Sequence, residues 1–124
     1  METMTSNIDL NYLRSISGDS IDFELNMLEI FVTQTNKAIE SIRKSIDMKN
    51  WDRLSVTIHK MKPSFFFIGN SKLTDKAIEL EKLTDKHGDF NEIERLSSVF
   101  IKLCKEAIED AKMEIEKHAI SASC

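Results

Sequence analysis

Ile21, Leu25, Leu28, Val32, Thr35, Ile39, Ile42 and Ile46 recur at alternating spacings of four and three residues. That period lays one apolar stripe along an α-helix; on a β-strand the same residues would fall on both faces. The helix should begin at Asp19 or Ser20, either of which can cap it, and run to about Met48. At 1.5 Å per residue such a rod is about 42 Å long, and it can bury its stripe only against rods of similar reach.

The rest of the chain supplies them. Asn50 can cap a third helix with the stripe Trp51, Leu54, Ile58, Met61, Phe65 and Ile68, closed by Gly69. Asn70 or Ser71 caps a fourth through Leu73, Ala77, Leu80 and Leu83, ended by His87 and Gly88. Asn91 opens the last, with Ile93, Leu96, Phe100, Leu103, Ala107, Ala111 and Ile115 as its stripe. Ahead of all these, Asn7 can cap a short helix over roughly Ile8 to Ile16, with Gly18 as its stop. Four amphipathic helices with short connections pack most economically as an all-α, antiparallel up-down-up-down four-helix bundle, with the short N-terminal helix as a lid over one end. A long dimeric coiled coil competes. Gly18, Gly69 and Gly88 disfavour it, because they cut the stripes into pieces that match one another in length, so a monomer is expected.

Composition narrows the function. A chain of 124 residues with no linker or repeat is one domain spanning 1–124, ending in a short flexible tail near 120–124. Three Gly and one Pro are too few turn-formers for a sandwich or barrel. A net charge of -4 argues against nucleic acid or an anionic membrane as partner. No apolar stretch is long enough to cross a bilayer, no basic-then-apolar leader is present, and Cys104 and Cys124 form no metal or redox motif. A cytoplasmic location is expected.

Of the three histidines, His59 stands on the wrong face of its helix for a core role. It lies roughly 130° from the stripe centre at Ile58 and Phe65, so it should meet solvent. Ser55, Lys62 and Phe66, at i−4, i+3 and i+7, share its flank. Between Asp52 and Asp75 there are 22 residues without a carboxylate, among them Arg53, Lys60, Lys62 and Lys72. Those four leave 13 basic against 21 acidic residues elsewhere, so a +4 segment sits in a remainder of −8, and an anion is expected there. An exposed imidazole is a competent nucleophile near neutral pH, and a neighbouring ammonium would stabilise a phosphoryl group on it. No P-loop, no GxGxxG and no aspartate cluster for Mg²⁺ accompanies it, so the chain lacks parts to bind a nucleotide or activate water.

The segment from Ile58 to Gly69 resembles the histidine-containing phosphotransfer (HPt) domain, whose signature is H-x-x-K, then a small residue or Pro, an apolar run and a Gly. His59, Lys62, Pro63, Ser64 and Gly69 carry the match. Leu10, Tyr12-Leu13 and Gly18-Asp19 look like the family's N-terminal stretch, and Leu80-Glu81 resembles its L-E pair on the following helix. The resemblance implies that His59 is the phosphoacceptor, with the phosphoryl group on Nε2, that Lys62 neutralises the phosphate, and that Gly69 lets the next helix fold back closely. It also implies that Glu81 orients the imidazole through Nδ1. Pro63 replaces the commoner Gly, and its missing N–H should leave the His59 carbonyl free or kink the helix.

The expected function is a relay of phosphoryl groups between receiver-domain aspartates in a multistep two-component phosphorelay, by a carrier that is not itself an enzyme. Response-regulator receiver domains are the expected partners, with a hybrid sensor histidine kinase as a further candidate. No cofactor is expected, Mg²⁺ being supplied by the partner receiver. Ser55, Lys60, Phe66 and Gly69 are the expected docking residues, and Phe66 should expose an aromatic surface beside the nucleophile. Phe67 is open to three readings: covered by the lid, covered by the fourth helix, or a second exposed anchor. The competing function is a helical adaptor that binds partners without chemistry. His87 should sit at a helix end, His118 on a solvated face four residues after Glu114, and Cys104 in the core.

Overall fold

The computed structural model describes residues 8–18, 20–86 and 88–123. Asn7, Asp19, His87 and Cys124, each assigned a place above, lie outside them. Five helices and no strand occur among the described residues: α1 (Asn11–Ser17), α2 (Ile21–Asp47), α3 (Trp51–Phe67), α4 (Ser71–Asp85) and α5 (Phe90–Ser123). Helix α2 packs on α3, α3 on α4, α4 on α5 and α5 back on α2, closing a helical bundle, while α1 rests on α2.

Side-chain caps start the helices where the sequence offers them. Ser20 Oγ accepts from the Phe23 N–H, Asn50 Oδ1 from Arg53 and Asn70 Oδ1 from Leu73. For α5 the cap is Asp89, whose carboxylate accepts from Glu92 N–H, and the helix starts at Phe90, one residue before Asn91. Helix α1 starts three residues later than the stripe suggests, at Asn11, and stops at Gly18 in the left-handed conformation, φ 61°. Helix α5 remains helical to Ser123, through most of the segment near 120–124 expected to be a flexible tail. Helix α3 runs on through Pro63.

The core follows the stripes of α3 closely: Leu54, Ile58, Met61, Phe65 and Ile68 are all buried. In α2 the buried face is Glu24, Leu28, Phe31, Thr35, Ile39, Ile42 and Ser45, rotated toward Phe31 and away from Leu25, Val32 and Ile46. The rotation places Phe31 in the core, and Glu24 is held by Arg14 of α1 and His118 of α5. His118 is therefore no solvated-face residue. It ties the end of α5 to the start of α2. Phe65 meets Phe100 edge-on across the core at 5.8 Å between ring centroids, and Cys104 is fully buried.

Candidate functional site

Helices α3 and α4 run in opposite directions where they carry the site. His59 of α3 faces Glu81 of α4; one turn earlier, Ser55 meets Asp85, one turn later. The turn between them explains how they come so close. Gly69 takes φ 66°, Gly69 N–H donates to the Phe66 carbonyl, and Asn70 N–H to that of Phe65. The chain then enters α4 under the Asn70 cap.

Within this frame His59, Lys62 and Glu81 come together. The His59 side chain is 69% exposed, its Nδ1 is 3.1 Å from Glu81 Oε2, and Lys62 Nζ is 2.7 Å from Glu81 Oε1. A carboxylate accepts only, so this contact favours the tautomer in which Nδ1 carries the hydrogen and Nε2 keeps its lone pair. Lys62 is 28% exposed, one turn further along the same flank. Its charge is matched by Glu81.

The remaining expected site residues divide. Ser55 Oγ donates to Asp85 Oδ1 at 2.8 Å, one turn below the imidazole. Phe66 is 59% exposed and meets Tyr12 of α1 at 4.6 Å between centroids, so an aromatic pair borders the histidine's flank. Phe67 is half-buried against Tyr12, at 6.0 Å, which answers the question of its cover in favour of α1. Lys60 points away from this cluster, into a groove between α2 and α3. Gly69 lies against the lead-in to α1: Asp9 N–H donates to the Ile68 carbonyl at 2.7 Å, and a Cβ on Gly69 would run into the Asp9 backbone.

Three neighbours escaped the sequence reading. Val56 is 53% exposed at i−3 from His59, an apolar residue off the core stripe and legible as such. Asp85 follows from the antiparallel register alone, four residues past Glu81 as Ser55 is four before His59. Tyr12 needed the position of α1, which no spacing supplies. Among the described residues no group of three or more His, Cys, Asp and Glu side chains is arranged to hold a metal ion.

The family model described as the Hpt domain matches residues 26–114, most of the chain. The chain belongs to the Hpt domain family. Comparison with curated proteins and with solved structures gives no match. Hpt domains carry out histidine phosphotransfer in two-component signalling, as phosphocarrier modules without kinase machinery that interact with response-regulator receiver domains. The match takes in α3 and α4 entire, so His59, Lys62 and Glu81 all lie inside the Hpt domain. No helix of the described residues is long and apolar enough to cross a membrane.

Proposed function

We propose that His59 is the phosphoacceptor of this Hpt domain and relays phosphoryl groups between aspartates of receiver domains. The observation that carries the reading is an imidazole open to solvent on its Nε2 side and tied on its Nδ1 side to Glu81. In the forward step the Nε2 lone pair attacks phosphorus of an aspartyl phosphate. The N–P bond forms, the O–P bond breaks, and the donor leaves as a carboxylate, with no net proton change at Nδ1. Transfer onward reverses the step on a second aspartate. Lys62 lies one turn away, with Glu81 holding it, and supplies the positive charge nearest the incoming phosphoryl oxygens.

The docking face is the exposed strip Val56, His59, Pro63 and Phe66, extended by Tyr12. Ser55 borders it on the α4 side, and Mg²⁺ comes with the receiver. The contacts of α2 through α5 support an up-down-up-down order with α1 as a lid at one end. The protein acts as a cytoplasmic monomer in this reading, receiving its phosphoryl group from a receiver or from the receiver of a hybrid sensor kinase.

Incubating the protein with a phosphorylated receiver domain tests this directly. Acid-labile, base-stable label should appear on the chain and vanish in His59→Gln, with helicity unchanged. Full label on that variant would move the acceptor elsewhere, and no label on the unaltered chain with any receiver of a panel would favour the adaptor.

A further inference from the structure

The +4 segment of the sequence does not act as one patch. Lys62 is spent on Glu81, whereas Arg53 and Lys60 turn to the opposite flank of α3, toward α2. There Lys60 and Lys37 line a groove of about 420 Å³, a volume in the range of small-molecule sites. Lys37 and Lys60 stand on its two walls, and neither has a carboxylate partner among the described residues. Arg53 stands beside the lining, its Nε 3.4 Å from Ser41 Oγ. Ser41 and Thr57 hydroxyls touch across the floor at 3.2 Å, and Gln34 and Ser64 add polar side chains toward the other end.

No carboxylate lines this groove, in a chain with 21 of them. The nearest in sequence are turned away: by helical geometry Glu40 on α2 and Asp52 on α3 each stand about 130° round their helix from the groove's centre. Two ammonium groups without a carboxylate partner line this slot, and the Arg53 guanidinium adjoins it through Ser41. Like charges so placed repel one another unless an anion joins them, and one bearing a single charge would leave most of the excess in place. The Arg53 fork suits phosphate oxygens, and the two ammonium groups add point charges from either wall.

The geometry points to a binding site for a small multivalent phosphate anion between α2 and α3, held by Lys37 and Lys60 with Arg53 at its edge, and separate from the His59 face. Because Lys60 adjoins His59 in sequence but faces about 100° away from it, the ligand would occupy the neighbouring flank and leave Nε2 open. The site does not depend on His59 being a phosphoacceptor, so it stands or falls by its own measurement.

Inorganic tripolyphosphate titrated into the ¹⁵N-labelled chain is the test. The expected result is saturable shifts centred on the amides of Lys37, Ser41, Thr57, Lys60 and Ser64. The double variant Lys37→Glu/Lys60→Glu should bind at least about tenfold more weakly, as should the milder Lys37→Gln/Lys60→Gln. Both positions are exposed, and an unchanged far-UV spectrum confirms folding. Lys102→Glu/Lys105→Glu, on the α2–α5 side, should bind as the unaltered chain does. Absence of saturation at millimolar ligand, shifts centred on His59 and Lys62, equal affinity for the double variant, or equal affinity for sulfate would each overturn the assignment.

Discussion

Glu81 is shared between His59 and Lys62, with one carboxylate oxygen 3.1 Å from the imidazole Nδ1 and the other 2.7 Å from the ammonium. One side chain of α4 thereby holds two side chains of α3. The imidazole is tethered by it and the lysine is kept within one turn of the ring.

Glu81→Gln retains a carbonyl acceptor for Nδ1–H, whereas Glu81→Ala retains nothing. Initial rates of label transfer from a phosphorylated receiver should stay within about threefold for the first and fall about tenfold or more for the second. Equal rates in all three proteins would mean that orientation of the ring does not limit transfer.

Under the proposed relay, Lys62→Ala removes the ammonium that would neutralise the phosphoryl group while leaving the ring contact in place. The phosphohistidine half-life, followed by loss of acid-labile label, should shorten about threefold or more. An unchanged half-life would show that Lys62 serves only its ion pair with Glu81.

Two glycines share a left-handed conformation but differ in surroundings. Gly18, φ 61°, has open space where a Cβ would go; Gly69, φ 66°, faces the Asp9 backbone. Urea denaturation should therefore show Gly18→Ala costing about 1 kcal/mol, from backbone strain alone, and Gly69→Ala clearly more, roughly 2–3 kcal/mol. Equal losses would mean that the Asp9 segment moves aside freely.

Glu24 sits buried between Arg14 and His118. Burial alone would raise its pKa, but hydrogen bonds from both partners, and their charge, outweigh that and hold it below 4.5. A folded-state pKa below the unfolded value means the stabilisation is fully present above pH 4.5 and is lost as pH falls through the folded value. Glu24→Gln should lower stability at neutral pH by about 1 kcal/mol, since the partners it leaves, Arg14 and His118, can still reach solvent, and flatten the acid limb of the stability curve. An acid limb identical in both proteins would assign it to other carboxylates.

Burial pushes the Cys104 thiol up to about 12, so almost no thiolate exists at neutral pH. In a Cys124→Ser background, a thiol reagent should leave the native protein unmodified for hours and react fully in denaturant. Rapid native labelling would show that α5 opens locally.

The sequence carried the helix count, three of the caps and the His59 flank because each rests on local periodicity. What it could not carry depends on bulk and charge arriving from elsewhere. The face of α2 that is buried carries Phe31 and Glu24, and Glu24 finds Arg14 and His118, residues 10 and 94 positions away. The α2–α3 turn has no glycine; Lys49 takes φ 54° there with its ammonium 4.8 Å above the Phe90 ring, a contact no spacing rule reports. The basic segment was legible as charge but not as geometry, since adjacent residues such as His59 and Lys60 leave a helix in different directions.

In the proposed relay, the acceptor imidazole stands on one rod and its partner carboxylate on the next, which makes this centre a gauge of alignment. A slip of α4 along α3 by a single turn, about 5.4 Å, would leave every coil wound and yet unclamp the ring. Readiness to react is thus a property of how two neighbours mesh, and whatever grips both at once can tune it.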